Sequence, residues 1–181
     1  MRNNDERLLA EYVAGDAGAL SSLVELHRRG VSHFVRRQLG SCRAWADDVT
    51  QDVFVTVARS APQFAGRSAF RTWLFGIALN ICRDYVRRER HVVSDEGLAF
   101  VPDESLDPLQ RLERGERARC VRAAVRRLTP QHRLALRLRD VEGMSYDEMS
   151  RVLGVPVGTV RSRLHNARAA LAKTLAENIE R

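Results

Sequence analysis

The sequence predicts an all-α protein: two small helical bundles joined by an acidic, flexible linker. Three observations carry that prediction. Apolar residues recur at three- and four-residue spacing along most of the chain, and no stretch sustains the alternation of a strand. Helix-start signals stand beside those stripes, at Asp16, Ser68, Thr129-Pro130 and the pair Ser145 and Glu148. Charge also partitions the chain. Residues 1–90 hold 14 basic and 10 acidic groups, residues 91–110 none and five, and residues 111–181 16 and eight. The acidic middle, with Gly97, Pro102 and Pro108 and no periodicity, reads as a tether.

The elements follow in order. Leu8, Leu9, Tyr12 and Val13 make one short amphipathic face. Asp16, after Gly15, caps a longer helix with Leu20, Leu23, Val24 and Leu26 inside. A third helix covers Trp45 to about Ala58, with Val49, Val53, Phe54 and Val57 inward. The loop 60–68, "SAPQFAGRS", follows, and Ser68 is placed to cap a fourth helix that runs to about Arg90. Beyond the tether, a helix over 111–128 turns Leu112, Val121 and Val125 inward. Thr129-Pro130 restarts a helix that Gly143 stops. Ser145 and Glu148 form a capping box for a short helix with Met149, Val152 and Leu153 inside. Gly154 ends it in a left-handed turn, and Pro156 opens the last helix.

Composition narrows the function. The 181 residues are 44% hydrophobic and 29% charged, a foldable balance with no apolar run long enough for a membrane span and no signal-peptide core at the amino terminus. A cytoplasmic protein is expected. The net charge is +7, and Lys173 is the one lysine among 30 basic residues. Arginine's planar fork suits phosphates and guanine edges, so nucleic acid is the expected partner. Cys42, Cys82 and Cys120 are too widely spaced for a metal or disulfide motif and read as buried free thiols. The five histidines are scattered, and no nucleophile–base motif, phosphate-cradling loop or cofactor signature is present. The chain is read as a non-enzyme without metal or cofactor.

Three stretches carry chemistry. "MSYDEMSRVLGVPVGTVRSRLHNARAAL", 144–171, is a helix-turn-helix pattern. Its second helix places Val157, Val160, Leu164, Ala167 and Leu171 on one stripe and Gly158, Ser162, His165, Asn166 and Ala169 opposite, flanked by Thr159, Arg161 and Arg163. A small polar face with arginine edges fits the major groove. In 64–90, Phe64, Phe70, Trp73, Phe75 and Tyr85 are interleaved with Arg67, Arg71, Arg83, Arg87, Arg88 and Arg90, which suits unpaired strands beside duplex. Trp73 shares a face with Ile77 and Ile81 and reads as core, whereas Phe64, on a loop, is the better platform for a base. In "WADDVTQDVFVTVA", 45–58, Asp47, Asp48 and Asp52 make an acidic patch at a helix start. Asp47 and Asp48 diverge by about 100° and no histidine completes a shell, so a basic protein surface is a better partner than a metal.

Together "DDVTQDVFVTVAR", "FRTWLFGIALNICRDYVRRER" and the helix-turn-helix resemble an RNA polymerase sigma factor of the extracytoplasmic-function (ECF) type, within the sigma-70 family. The resemblance implies a region 2 domain over 1–92, a linker over 93–110 and a region 4 domain over 111–181. It implies that Asp48, Gln51 and Asp52 dock on the clamp helices of the largest subunit of core RNA polymerase, with the flap as a further contact. Phe64, Gly66, Arg67 and Ser68 would capture a flipped base of the melted minus-ten element, Asn80 and Arg83 would touch that element, and Arg87, Arg88 and Arg90 would hold duplex phosphates. Thr159, Arg161, Ser162, Arg163, His165 and Asn166 would read the minus-thirty-five element. An anti-sigma factor, sometimes at the inner membrane, would control a chain that is monomeric when free and takes no small-molecule substrate. One departure stands out: Asn166 replaces a frequent arginine, which implies a different upstream preference at the position it meets. The rival readings are a dimeric operator-binding repressor or activator, which leaves 64–90 without a purpose, and a metal-dependent nuclease.

Overall fold

The computed structural model describes residues 2–89 and 120–179, and every regular element among them is helical. The acidic linker, Arg90 and Leu112 lie outside the described residues. The chain divides into two compact units, Met1–Ala99 and Phe100–Arg181.

In the first unit α1 spans Arg2–Val13, α2 Ala17–Leu39, α3 Ala46–Ser60 and α4 Phe70–Glu89, with 3-10 turns at Gly40–Trp45 and Ala61–Gln63. Asp16 caps α2, its carboxylate accepting the Gly18 amide at 2.8 Å. The buried stripe of α2 is Ala19, Leu23, His27, Val31, Phe34, Val35 and Leu39. This corrects the inward set read from sequence. Leu23 is buried, Leu20 and Val24 are half-buried, and Leu26 is 53% exposed. The crowded leucines at 20–26 leave the face ambiguous, and the second half of this long helix decides it. His27 is inside because its ring packs on Phe70, centroids 5.4 Å apart. Its Nε2 also approaches the buried Asp5 carboxylate of α1 at 3.1 Å, without hydrogen-bond alignment. Leu8 and Leu9 of α1 are buried, whereas Val13, beside the Gly15 turn, is exposed rather than part of the apolar face.

α3 buries Val49, Val53, Phe54 and Val57 as expected. α4 buries Phe70, Leu74, Phe75, Ala78, Leu79 and Cys82, and Phe75 meets Phe34 edge-on at 5.0 Å. Ser68 is not the cap. The helix starts at Phe70, and the Ala69 carbonyl receives the Trp73 amide. Trp73 is half-buried, not core, and Ile77 and Ile81 are half-buried with it. The inward arc of α4 is centred on Ala78 and Cys82, so Trp73 falls nearly opposite it, beside Asn80, where the Phe64 ring 5.0 Å away covers part of it. Of the three thiols, Cys82 is buried, Cys42 half-buried and Cys120 exposed, so the expectation of three buried thiols fails at two of them.

In the second unit α5 occupies 120–127, α6 Pro130–Leu136, α7 Tyr146–Leu153 and α8 Val157–Ile179. α5 turns Ala124 inward and Leu128 follows it. Val125 is half-buried and Val121 is 43% exposed, another correction to the expected stripe. Thr129 caps α6 by accepting the His132 amide. The Arg133 guanidinium donates to the carbonyls of Arg126 and Leu128 at 2.8 and 2.7 Å, stitching α6 to the end of α5. The helix expected to run to Gly143 widens into a π turn over Arg137–Val141, whose carbonyls at Arg137 and Leu138 take the amides of Glu142 and Met144.

The capping box at α7 is complete. The Ser145 hydroxyl accepts the Glu148 amide, and the Glu148 carboxylate accepts the Ser145 amide at 2.8 Å. Gly154 sits at φ +67°, ψ 36°, and the Ser150 hydroxyl bridges the turn by donating to the Val155 carbonyl at 2.6 Å. Met149, Val152, Leu153, Val160, Leu164 and Ala167 then close the core with Ala135, Leu138 and Met144. Ser145→Ala removes an N-cap and is expected to cost α7 about 1 kcal/mol. Amide hydrogen exchange across α7 checks this: protection falls in Ser145→Ala and is largely kept in Ser145→Asp. Unchanged protection in Ser145→Ala contradicts the role given to the cap.

Candidate nucleic-acid and partner interfaces

The expected surface residues on α3, α4 and α8 are placed by the apolar stripe of their helix, and Phe64, Gly66, Arg67 and Ser68 by the loop before α4. On α3, Val49, Val53 and Val57 point inward, so Asp48, Gln51 and Asp52 are exposed at i, i+3 and i+4 on the opposite side. Asp47 points elsewhere and pairs with Arg36 of α2 at 3.0 Å. Asp52 is held from α4, where the Tyr85 hydroxyl donates to its Oδ2 at 3.3 Å. Sequence reasoning did not find this partnership, because nothing local to α4 says that Asp52, 33 residues before Tyr85, lies beside it. Among the described residues no group of three His, Cys, Asp or Glu side chains is arranged to hold a metal.

The face of α4 opposite its core carries Asn80, Arg83 and Arg87, all exposed and spaced i, i+3 and i+7. Arg88 is exposed too, one step round the helix. Arg87 pairs with Asp84 on the same face at 3.0 Å. That pair is solvent-exposed, so its attraction is weak and a phosphate can exchange for it. Phe64 caps the end of this face. It is half-buried, with its ring 5.0 Å from Trp73 and 6.4 Å from Phe70. The expected platform is therefore one ring of an aromatic cluster and not a free-standing side chain. Gly66 turns the following loop at φ +63°, Arg67 is exposed and Ser68 is half-buried.

On α8, Val160, Leu164 and Ala167 are inward, and Gly158, Ser162, His165, Asn166 and Ala169 form the exposed opposite face. Arg161 is exposed at one edge, and Thr159 and Arg163 are half-buried at the other. Ser162 donates to the Thr159 carbonyl at 3.1 Å. Arg168, though on the exposed side, is tied to Asp140 of the π turn at 3.1 Å. Arg161 lies over the ring of Tyr146, a residue that sequence reasoning passed over.

Burial raises the Tyr85 hydroxyl above its ordinary pKa of 10.0, and the Asp52 carboxylate adds to the rise because a phenolate there would face an anion. The neutral phenol is thus the form the folded state favours, and its contact with Asp52 is present below pH 10 and lost as pH rises through the elevated value. Ultraviolet titration of the three tyrosines is expected to show one late transition that Asp52→Asn brings earlier. A late transition unmoved by Asp52→Asn contradicts the contact.

The described residues contain no helix long and apolar enough to cross a membrane. Residues 23–92 match the Sigma-70 region 2 family model, and residues 118–171 match the Sigma-70, region 4 model. The chain is 33% identical to the RNA polymerase sigma-H factor of Pseudomonas aeruginosa, over 96% of this chain and 95% of that protein. It is 36% identical to the ECF RNA polymerase sigma factor SigM of Mycobacterium tuberculosis, over 95% and 85% respectively. The sigma factor RpoE from Bartonella quintana, solved in complex with the anti-sigma factor NepR, superposes with a TM-score of 0.68 at 26% identity, covering 86% of this chain and 96% of that one. With both regions matched and relatives aligned over nearly their whole length, the chain belongs to the ECF sigma factors of the sigma-70 family.

Proposed function

We propose that this chain docks on core RNA polymerase, carries it to promoters with a particular pair of upstream and minus-ten elements, and helps open the latter. The observation that supports this most is the contrast between neighbouring helices of the first unit. In a protein of net charge +7, α3 exposes the carboxylates Asp48 and Asp52, while α4 exposes Asn80, Arg83 and Arg87. A nucleic-acid surface has no use for an exposed acidic face, and a basic protein surface does.

In this reading Asp48, Gln51 and Asp52 meet the clamp helices of the largest subunit. A base of the melted minus-ten element stacks on Phe64, backed by Trp73, in the loop of Gly66, Arg67 and Ser68. Such stacking contributes about 1–3 kcal/mol per base and tolerates any sequence, so discrimination falls to polar groups such as Asn80. Arg83, Arg87, Arg88 and Arg90 hold phosphates on either side of the opened segment. The outward face of α8, with Thr159, Arg161, Ser162, Arg163, His165 and Asn166, reads the upstream duplex in its major groove. The domain limits 1–92, 93–110 and 111–181 belong to the same proposal, as does cytoplasmic action at the nucleoid. Control by an anti-sigma factor is supported by the complex in which the Bartonella quintana relative was solved. RNA synthesis itself stays with the polymerase.

Transcription in vitro tests this with core polymerase and DNA from the source genome. The chain is expected to create start sites at fixed distances from asymmetric elements. Reversing one docking charge, Asp52→Arg, should cut initiation by about tenfold or more, since loss of a buried interface charge contact typically costs about 2–5 kcal/mol. Asn166→Arg should keep initiation and change the preferred upstream bases. No new start sites, or palindromic footprints formed without polymerase, would overturn the proposal.

A further inference from the structure

Tyr146 opens α7 immediately after the capping box, so the two hydrogen bonds between Ser145 and Glu148 fix the turn that carries its ring. Guanidinium groups from two other elements converge on that half-buried ring. Arg139, from the π turn, stands 5.2 Å from the ring centre, and Arg161, from α8, stands 6.0 Å from it. Arg139 is itself anchored, donating to the Met144 carbonyl at 2.7 Å. Arg161 is exposed and lies at the edge of the outward face of α8, beside Gly158, Ser162 and His165.

We infer that Tyr146 is a positioning residue for base reading: its ring holds the Arg161 guanidinium at the groove-facing edge of α8, and Arg139 steadies the ring from its other neighbour. The inference rests on the proposed role of α8. The physical reason is preorganisation. An arginine side chain free in water loses many rotamers when it reads a base, and a ring that already restrains it reduces that cost. A restrained fork also presents its paired donors to one base step, whereas a mobile one reaches several acceptors and discriminates less. Contact between a cation and an exposed ring shifts such an equilibrium by about two- to fivefold, enough to alter a sequence preference without affecting folding. The packing that produces this is local. The left-handed Gly154 turn joins α7 to α8, the Ser150 hydroxyl braces it by donating to the Val155 carbonyl, and the Arg161 side chain, one turn into α8, reaches back to the ring.

The test uses full-length chain assembled with core polymerase, on a promoter library randomised across the upstream element. Wild type is compared with Arg161→Ala, Tyr146→Leu, Tyr146→Phe and the double variant Tyr146→Leu/Arg161→Ala. Arg161→Ala should lower the preference at one base pair by about tenfold, the size of a lost arginine–guanine contact. Tyr146→Leu should lower the preference at that same base pair by about two- to fivefold. Tyr146→Phe should keep it, and the double variant should be no worse than Arg161→Ala. Should Arg161→Ala change no preference, the proposed reading of α8 fails. With Arg161 confirmed, three results would each overturn the inference. One is a Tyr146→Leu loss spread evenly over all positions, as a general packing defect gives. Another is a Tyr146→Phe loss equal to that of leucine, which would move the role to the hydroxyl. The third is losses in the double variant that simply add.

Discussion

Burial of one long helix constrains everything on the surface of the first unit. α2 touches α1, α3 and α4, and Leu23, Val31 and Val35 along it are completely enclosed. Each such side chain contributes about 1.5–3 kcal/mol on leaving water, so the register of α2 against its neighbours cannot slip without a large loss. Phe34 against Phe75 fixes the rotation of α4, and His27 against Phe70 fixes the end where the aromatic cluster begins. Once α3 and α4 have turned their apolar stripes to α2, their polar sides must point away from it. The acidic and basic faces are therefore consequences of one packing solution. The Tyr85–Asp52 contact then links α3 and α4 at the surface.

The second unit solves a smaller problem with more hydrogen bonds and less core. α7 has eight residues, too few to be stable alone, and depends on its capping box and on Met149, Val152 and Leu153. The left-handed Gly154 and the Ser150 bridge set the exit direction, and Arg168–Asp140 and Arg127–Glu177 brace α8 along its length. With its inner stripe engaged, α8 has only small and polar residues to offer outward. In the proposed reading, a face without bulky side chains lets the helix approach base edges closely, and the arginines at its margins supply reach.

Much of this was legible in the sequence, because the signals that place α3, α7 and α8 are local. Valine spacing oriented α3, and the Ser145–Glu148 pair and Gly154 framed the helix-turn-helix to the residue. The failures share a cause. Leu20, Leu23, Val24 and Leu26 are compatible with two faces, and only contacts made further along α2 choose between them. Val121 is apolar at the margin of a stripe, where periodicity does not decide between burial and exposure, and Trp73, Ile77 and Ile81 make an apolar run away from the core that periodicity alone reads as inward. The widening at Arg137–Val141 has no composition signal, since the residues are ordinary helix formers. Tyr85 meets Asp52 across 33 residues and Tyr146 meets Arg139 and Arg161 from two other elements, and no one-dimensional pattern brings these groups together.

The proposed division of labour follows from each unit's surfaces taken separately. In the proposed function, phosphate contacts supply affinity and register, base-edge contacts supply sequence information, and the carboxylates of α3 meet a protein surface of opposite sign. Photo-crosslinking in the assembled polymerase–promoter complex measures that division most directly, with a reactive residue placed in turn at positions 52, 80 and 162. Position 52 is expected to give a protein adduct on the largest subunit, and positions 80 and 162 DNA adducts near the minus-ten and upstream elements respectively. DNA adducts from position 52, or polymerase adducts alone from positions 80 and 162, would contradict that division.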